Sequence, residues 1–188
     1  MAELVEVRFH GRGGQGAWTA SHILAMAALR EGKYVQSFPT FGPEREGAPI
    51  MAFTRISEDP INIHSGVYEP DAVVVLDPTL LGPTVLDGMR EDTILVTNSR
   101  HGPTEVAETL KLNPAKVWTV NATSLAMEIM KRNVTNTAML GALVKAVPVV
   151  ELGSLLEAVR ERFRASPKIA ELNVQLVQRA YEEARCGG

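Results

Sequence analysis

The chain has 188 residues, a formal charge of −3, 45% hydrophobic and 22% charged residues, enough for one domain with its own core. No basic field or lysine–arginine cluster with interleaved aromatics favours nucleic acid, and the longest apolar run, Ala72 to Leu76, falls far short of the ~20 residues that cross a bilayer. The single cysteine, Cys186, is third from the end and excludes an internal disulfide, a Cys-x-x-Cys metal site or an iron–sulfur cluster in this chain.

Leu4-Val5-Glu6-Val7-Arg8-Phe9 alternates as a strand does, and Ala20, Ile23, Leu24 and Ala27 repeat as one helix face, over about Ala17 to Arg30. Between them lies His10-Gly11-Arg12-Gly13-Gly14-Gln15-Gly16, with four glycines in six positions. Without a Cβ, such a turn brings backbone N–H groups close to a phosphate or to another backbone. Gly11, Gly13 and Gly16 fit G-x-G-x-x-G, but the second strand, Tyr34 to Gln36, ends without the acidic residue that holds a ribose. The P-loop spacing also fits, yet Ala17-Trp18 replaces the Lys-Ser/Thr that nucleotide hydrolysis needs. A tight turn packed on a neighbouring chain is the third reading.

From Phe38 to Pro49 three prolines and two glycines forbid regular structure. Within it Arg45 suits an anion or an ion pair. Ile50 to Ile56 reads as a strand, and Ser57 to Pro60 as a turn into Ile61-Asn62-Ile63, giving a hairpin at the sheet edge. Ala72 to Asp77 is a central parallel strand covered on both faces; Ile94 to Asn98 and Lys116 to Asn121 are two more, separated by a helix over Thr104 to Leu110. In a doubly wound sheet Asp77, Asn98 and Asn121 fall near the glycine turn, or cap turns and helices.

A helix follows over Ala122 to Arg132, and Asn136 caps another over Thr137 to Val147. Gly141 in its middle costs ~1 kcal/mol against alanine, which points to a close backbone or ligand. Helices over Glu151 to Phe163 and, opened by Ser166-Pro167, Lys168 to Arg185 complete the chain. The last carries two apolar rows, Ile169-Leu172-Leu176-Ala180 and Val174-Val177-Tyr181-Ala184, and the first helix a second stripe of Trp18, His22, Ala25 and Leu29. Two rows ask for a second partner, another helix or another subunit, and leave room for self-association. The fold class is therefore α/β: a Rossmann-like, doubly wound, mostly parallel sheet with helices on both faces and a helical C-terminal segment, in a single domain over 1–188. No export signal opens the chain, so a cytoplasmic location is expected.

The four histidines are dispersed, without metal spacing; His10, beside the glycines, reads as a packing residue. No Gly-x-Ser-x-Gly elbow or placed cysteine supplies a nucleophile.

Four strings in order carry a resemblance: Phe9 to Gly16, Phe38 to Pro49 with Ala52 to Ile56, Glu69-Pro70-Asp71 to Asp77-Pro78, and Asn136-Thr137-Ala138-Met139-Leu140-Gly141-Ala142. Together they resemble the gamma subunit of 2-oxoacid:ferredoxin oxidoreductases, most closely the pyruvate synthase type. The resemblance implies an assembly that decarboxylates a 2-oxoacid, reduces ferredoxin and forms acyl-CoA. Thiamine diphosphate and 4Fe-4S clusters are then carried by alpha, beta and ferredoxin-like delta partners, and no cofactor by this chain alone. It also implies a coenzyme A contact at Gly11, Arg12, Gly13, Gly14, Gln15 and Gly16, with Arg45 and Asn136 nearby. Members often have a cation after the Glu-Arg pair, where this chain has Glu46, which favours a subunit-seam role for that loop. The rival readings are a stand-alone nucleotide- or flavin-binding reductase and a module that only supports a complex.

Overall fold

A computed structural model of the chain describes residues 4–40 and 46–188. The elements run β1 (Val5–Arg12), α1 (Ala17–Arg30), β2 (Tyr34–Pro39), β3 (Pro49–Ser57), β4 (Ala72–Val75), α2 (Pro83–Leu86), β5 (Ile94–Asn98), α3 (Pro103–Leu110), β6 (Val117–Val120), α4 (Ala122–Met130), α5 (Asn136–Ala146), α6 (Leu152–Arg162), α7 (Pro167–Glu183) and β7 (Arg185–Cys186). The strands described form one sheet in the order β2-β3-β1-β4-β5-β6-β7. β1, β4, β5 and β6 are parallel neighbours, whereas β3 and β7 run against them.

The apolar run of β4 is wholly buried because both faces of the sheet are covered there. On one face Val7, Phe9, Val74 and Val96 pack with Ile23 of α1 and Leu140 of α5 in the main core. Each such aliphatic side chain stabilises the fold by about 1.5–3 kcal/mol. On the other face a smaller core joins Val73, Val75, Leu95 and Val117 to Val85 of α2 and Val106 of α3. Helices thus lie on both faces, as the sequence predicts.

Gly141 faces a backbone: a Cβ built there would lie 2.2 Å from the Val177 carbonyl oxygen. The two apolar rows of α7 find their second partner inside the chain, in α4, α5 and α6, with Val174, Leu176, Val177 and Ala180 all buried. The second stripe of α1 fares differently. Ala25 is buried, but Trp18 and Leu29 stay 52% and 57% exposed.

Three local expectations are corrected. The predicted hairpin of β3 with Ile61 to Ile63 does not form: β3 is inserted between β2 and β1 and pairs with both. Ile61 and Ile63 instead present their carbonyls to Gln36 Nε2, at 3.3 and 3.1 Å, as a segment crossing the edge of the sheet. Local succession favours a sequential hairpin, but β1 and β2 leave a gap one strand wide that β3 closes on two sides. Asn136 is the first residue of α5 rather than its cap, which is Thr135. Finally, the last helix ends at Glu183 rather than Arg185, and Arg185 and Cys186 form β7, paired with Thr119 and Trp118 of β6.

Candidate functional site at the strand-order reversal

β1 and β4 are neighbours whose onward connections leave to opposite sides, α1 over one face and α2 over the other, so their carboxyl ends open a crevice. The glycine turn follows β1 and Asp77 follows β4 by two residues.

The turn is braced from both sides. Gly13 N–H donates to Ala48 O at 2.8 Å, Gln15 N–H to Arg12 O at 2.9 Å and Gly47 N–H to Gly13 O at 3.1 Å. The Gln15 side chain accepts from Arg12 N–H (2.7 Å) and donates to Asp77 Oδ2 (2.8 Å). Arg12 donates through Nε to Asp77 Oδ2 (3.1 Å) and through its two terminal nitrogens to Gly47 O (3.1 Å) and Thr79 Oγ1 (2.9 Å). Burial pushes the Asp77 carboxyl up, but hydrogen bonds from Thr79 and Gln15 and the Arg12 charge outweigh it and hold the group below its ordinary value. Arg12 and Gln15 therefore tie the glycine turn to the end of β4.

The helix that leaves this turn has no acidic residue in its first turn and no side-chain cap. Ala20 N–H is bonded to Gly16 O, so the preceding N–H groups of Ala17, Trp18 and Thr19 have no intrahelical acceptor. Among the described residues no backbone acceptor takes the Gly14 or Gly16 N–H either. Gly16 caps the helix at φ 80°, ψ 31°, a left-handed conformation that costs other residues ~1–2 kcal/mol. A Cβ there would also meet Asn136 Nδ2 at 2.5 Å. Asn136 is 5% exposed, and its Oδ1 accepts from Thr137 N–H at 3.0 Å. The amide nitrogen is thus turned toward the start of α1, and residues far apart in the sequence share one cradle of uncharged donors. Such a cradle suits a phosphate by N–H donation and by the α1 dipole.

Of the predicted site residues, Gly11 to Gly16 and Asn136 meet here, whereas Arg45 lies outside the described residues. Gly11 is buried beneath the turn, where an added Cβ would lie 3.2 Å from Ala17 Cβ. Asp77 joins the site as expected of a strand-end acid, but Asn98 and Asn121 are structural. Asn98 ties Leu76 O to Thr123 (3.0 and 2.9 Å) and Asn121 caps α4 through Ser124 N–H (3.1 Å). Thr79, which receives Arg12, escapes sequence reading; its one signal is the Asp-Pro-Thr run, an Asx-type turn that places a hydroxyl two residues beyond the acid. His10, the β1 residue just before the glycines, is 3% exposed with Nε2 unpartnered among the described residues. Burial, and secondarily Arg8, lower it to about 4, so it is neutral at pH 7. One cysteine, and no group of three His, Cys, Asp or Glu side chains among the described residues, is not a donor set for a metal or an iron–sulfur cluster.

Residues 6–183 match the family model described as pyruvate ferredoxin/flavodoxin oxidoreductase. The "Pyruvate/ketoisovalerate oxidoreductases common subunit gamma" of Pyrococcus furiosus is 50% identical over 181 residues, covering 96% of this chain and 97% of that protein. The crystal structure of pyruvate oxidoreductase subunit PORC from Thermotoga maritima superposes with a TM-score of 0.88 at 40% identity, covering 99% of both chains. The fold also recurs within 31% of a longer chain, the 2-oxoglutarate:ferredoxin oxidoreductase of Magnetococcus marinus solved with 2-oxoglutarate, coenzyme A and succinyl-CoA bound. That match covers 96% of this chain, with a TM-score of 0.73 at 20% identity. With the core of its sheet and its C-terminal helices inside these matches, the chain belongs to the pyruvate ferredoxin/flavodoxin oxidoreductase family, as a gamma-type subunit of such an oxidoreductase and not an independent catalyst.

Proposed function

We propose that this chain holds coenzyme A in a cytoplasmic, thiamine-dependent 2-oxoacid:ferredoxin oxidoreductase, with pyruvate the favoured substrate. Thiamine diphosphate and the iron–sulfur clusters sit on alpha, beta and delta partners that pass electrons to ferredoxin. The observation that carries the reading is the uncapped start of α1 facing the Asn136 amide. The N–H groups of Gly14, Gly16 and the first turn of α1, with Asn136 Nδ2, take a phosphate of the coenzyme. Gly11 and Gly13 let the backbone approach, while Arg12 and Gln15 hold the turn open through Asp77. In this reading Arg45, which lies between β2 and β3 in the sequence, contributes at the same mouth or at the subunit seam. The chain itself supplies no group that takes or gives electrons; it positions the thiol acceptor. The coenzyme A in the Magnetococcus marinus structure supports the choice of ligand, and the name of the Thermotoga maritima structure, pyruvate oxidoreductase subunit PORC, supports the choice of oxoacid.

The test is Asn136→Asp in the assembled oxidoreductase. Aspartate keeps the oxygen that accepts from Thr137 N–H and replaces the outward amide by a charge. We expect KM for coenzyme A to rise about tenfold or more, equivalent to ~1.4 kcal/mol, with kcat at saturating coenzyme nearly unchanged. An unaltered KM in a correctly assembled variant overturns the reading.

A further inference from the structure

A second concavity lies away from the crevice at the strand-order reversal. Over β1, β3 and β2, on the face that carries α2 and α3 elsewhere, no described helix covers the sheet, and a trough of about 880 Å³ lies open there. Its floor is Met51, Phe53 and Phe38, the two rings 5.2 Å apart in a tilted pair. Its rim is the segment Ile63 to Tyr68 and the end of α2, with Ile63 38% and Tyr68 73% exposed. The half-buried Phe38 and Met51 and the exposed Ile63 and Tyr68, beside a cationic group, have the composition of a protein interface core, where aromatic residues, methionine and arginine are enriched.

Two arginines enter this trough from neighbouring strands, and they are treated differently. Arg55, 1% exposed, is neutralised by Glu6 at 2.7 Å and donates further to Gln36 Oε1 and the carbonyls of Ser65 and Gly66. Arg8, 5% exposed, donates through one terminal nitrogen to the carbonyls of Val85 (2.9 Å) and Asp87 (2.6 Å), and its Nε has no partner among the described residues. No described carboxylate comes within 4.0 Å of it; Asp87, the acid on the wall, gives Arg8 its main-chain oxygen and acts on the guanidinium charge from farther away. Burial holds Arg8 below the ordinary guanidinium range against that weaker Asp87 attraction. A buried charge without a counter-ion is costly, and an arriving carboxylate removes the cost. Among the described residues, the wall therefore holds one cation that no carboxylate contacts.

We propose that this trough is a docking site for a partner subunit of the same oxidoreductase, through a segment that places a carboxylate on Arg8 and apolar or aromatic side chains on Phe38, Met51 and Phe53. The proposal rests on the chain's being a subunit, and it is separable from coenzyme binding, because none of the described residues that line the trough is among those the coenzyme reading uses. A partner segment seated here also covers the exposed Tyr68 and Ile63.

The test uses the complex formed with the subunits that accompany the wild-type chain. Tyr68→Ser, at an exposed position whose change leaves the fold intact, and Arg8→Gln are each expected to weaken retention of this chain in the complex at least about tenfold, with Arg8→Lys recovering part of the loss. Because Arg8→Gln also removes internal hydrogen bonds, Tyr68→Ser decides the outcome if that variant fails to fold. A thiol label placed by Ile63→Cys is expected to be protected in the complex and reactive after dissociation. Wild-type retention of Tyr68→Ser together with a reactive Ile63→Cys in the complex overturns the proposal, as does a small organic anion found filling the trough by native mass spectrometry. The KM for coenzyme A of whatever complex still assembles is measured alongside. An unchanged KM in weakly retained trough variants supports a docking role separate from coenzyme binding, so the two readings fail independently.

Discussion

His10 holds an imidazole just before the glycine turn that is neutral down to about pH 4, since burial and the nearby Arg8 both oppose its charge. Between that value and the ~6.5 of an unfolded histidine, the unfolded chain binds a proton that the native chain refuses. Unfolding then takes up protons, so stability rises with pH across the window and is lost as pH falls from 6.5 toward 4. The loss is on the order of a few kcal/mol at most, and thermal melts at stepped pH should show it shrinking in His10→Gln. Asp77 acts lower: its depressed carboxyl contributes stability above the unfolded value of ~3.9 that disappears as pH falls through the folded value. Asp77→Asn should flatten that acid limb while loosening the turn at neutral pH, read as faster amide exchange at Gly13 and Gln15. At this scale the sequence was legible where residue type and position coincide, as with the glycines and the acid two residues beyond β4. It was silent on Arg8 and Arg55, because alternation in β1 and β3 shows that a side chain leaves the apolar face but not what it meets on the other.

α5 and α7 meet through Gly141, where any Cβ enters the space of the Val177 carbonyl. Gly141→Ala gains ~1 kcal/mol of helix propensity, but the backbone shift it forces costs about 1–3 kcal/mol or more, as overpacking does. A net loss is therefore expected, read as a lower urea midpoint at unchanged slope. A mid-helix glycine announces such a contact in advance, because its intrinsic cost needs a compensating reason. The insertion of β3 left no comparable mark. Its residues alternate as well beside Ile61 to Ile63 as between β2 and β1, and the choice is made by the width of the gap that the α1 crossover leaves. The double apolar rows of α7 likewise signalled two partners without saying that both belong to this chain.

For the molecule as a whole, the doubly wound sheet brings the ends of β1 and β4 together and lets α5 return to them from far along the chain, so that Asn136 stands against Gly16. The class of fold and the place of the crevice were legible from the order of strand-like and helix-like segments. The approach of Asn136 to Gly16 has no local signal in the sequence, since no local pattern joins positions so distant. The exposed Trp18 and Leu29 and the open trough are surfaces that a lone globular chain rarely leaves uncovered, in keeping with a component that works inside an assembly. The most direct measurement is ferredoxin reduction driven by pyruvate and coenzyme A, followed for this chain alone, for the partner subunits without it, and for the two recombined. The account predicts no turnover by the chain alone and coenzyme-dependent turnover restored on recombination. Turnover by the isolated chain, or full coenzyme-dependent activity of the partners in its absence, contradicts it.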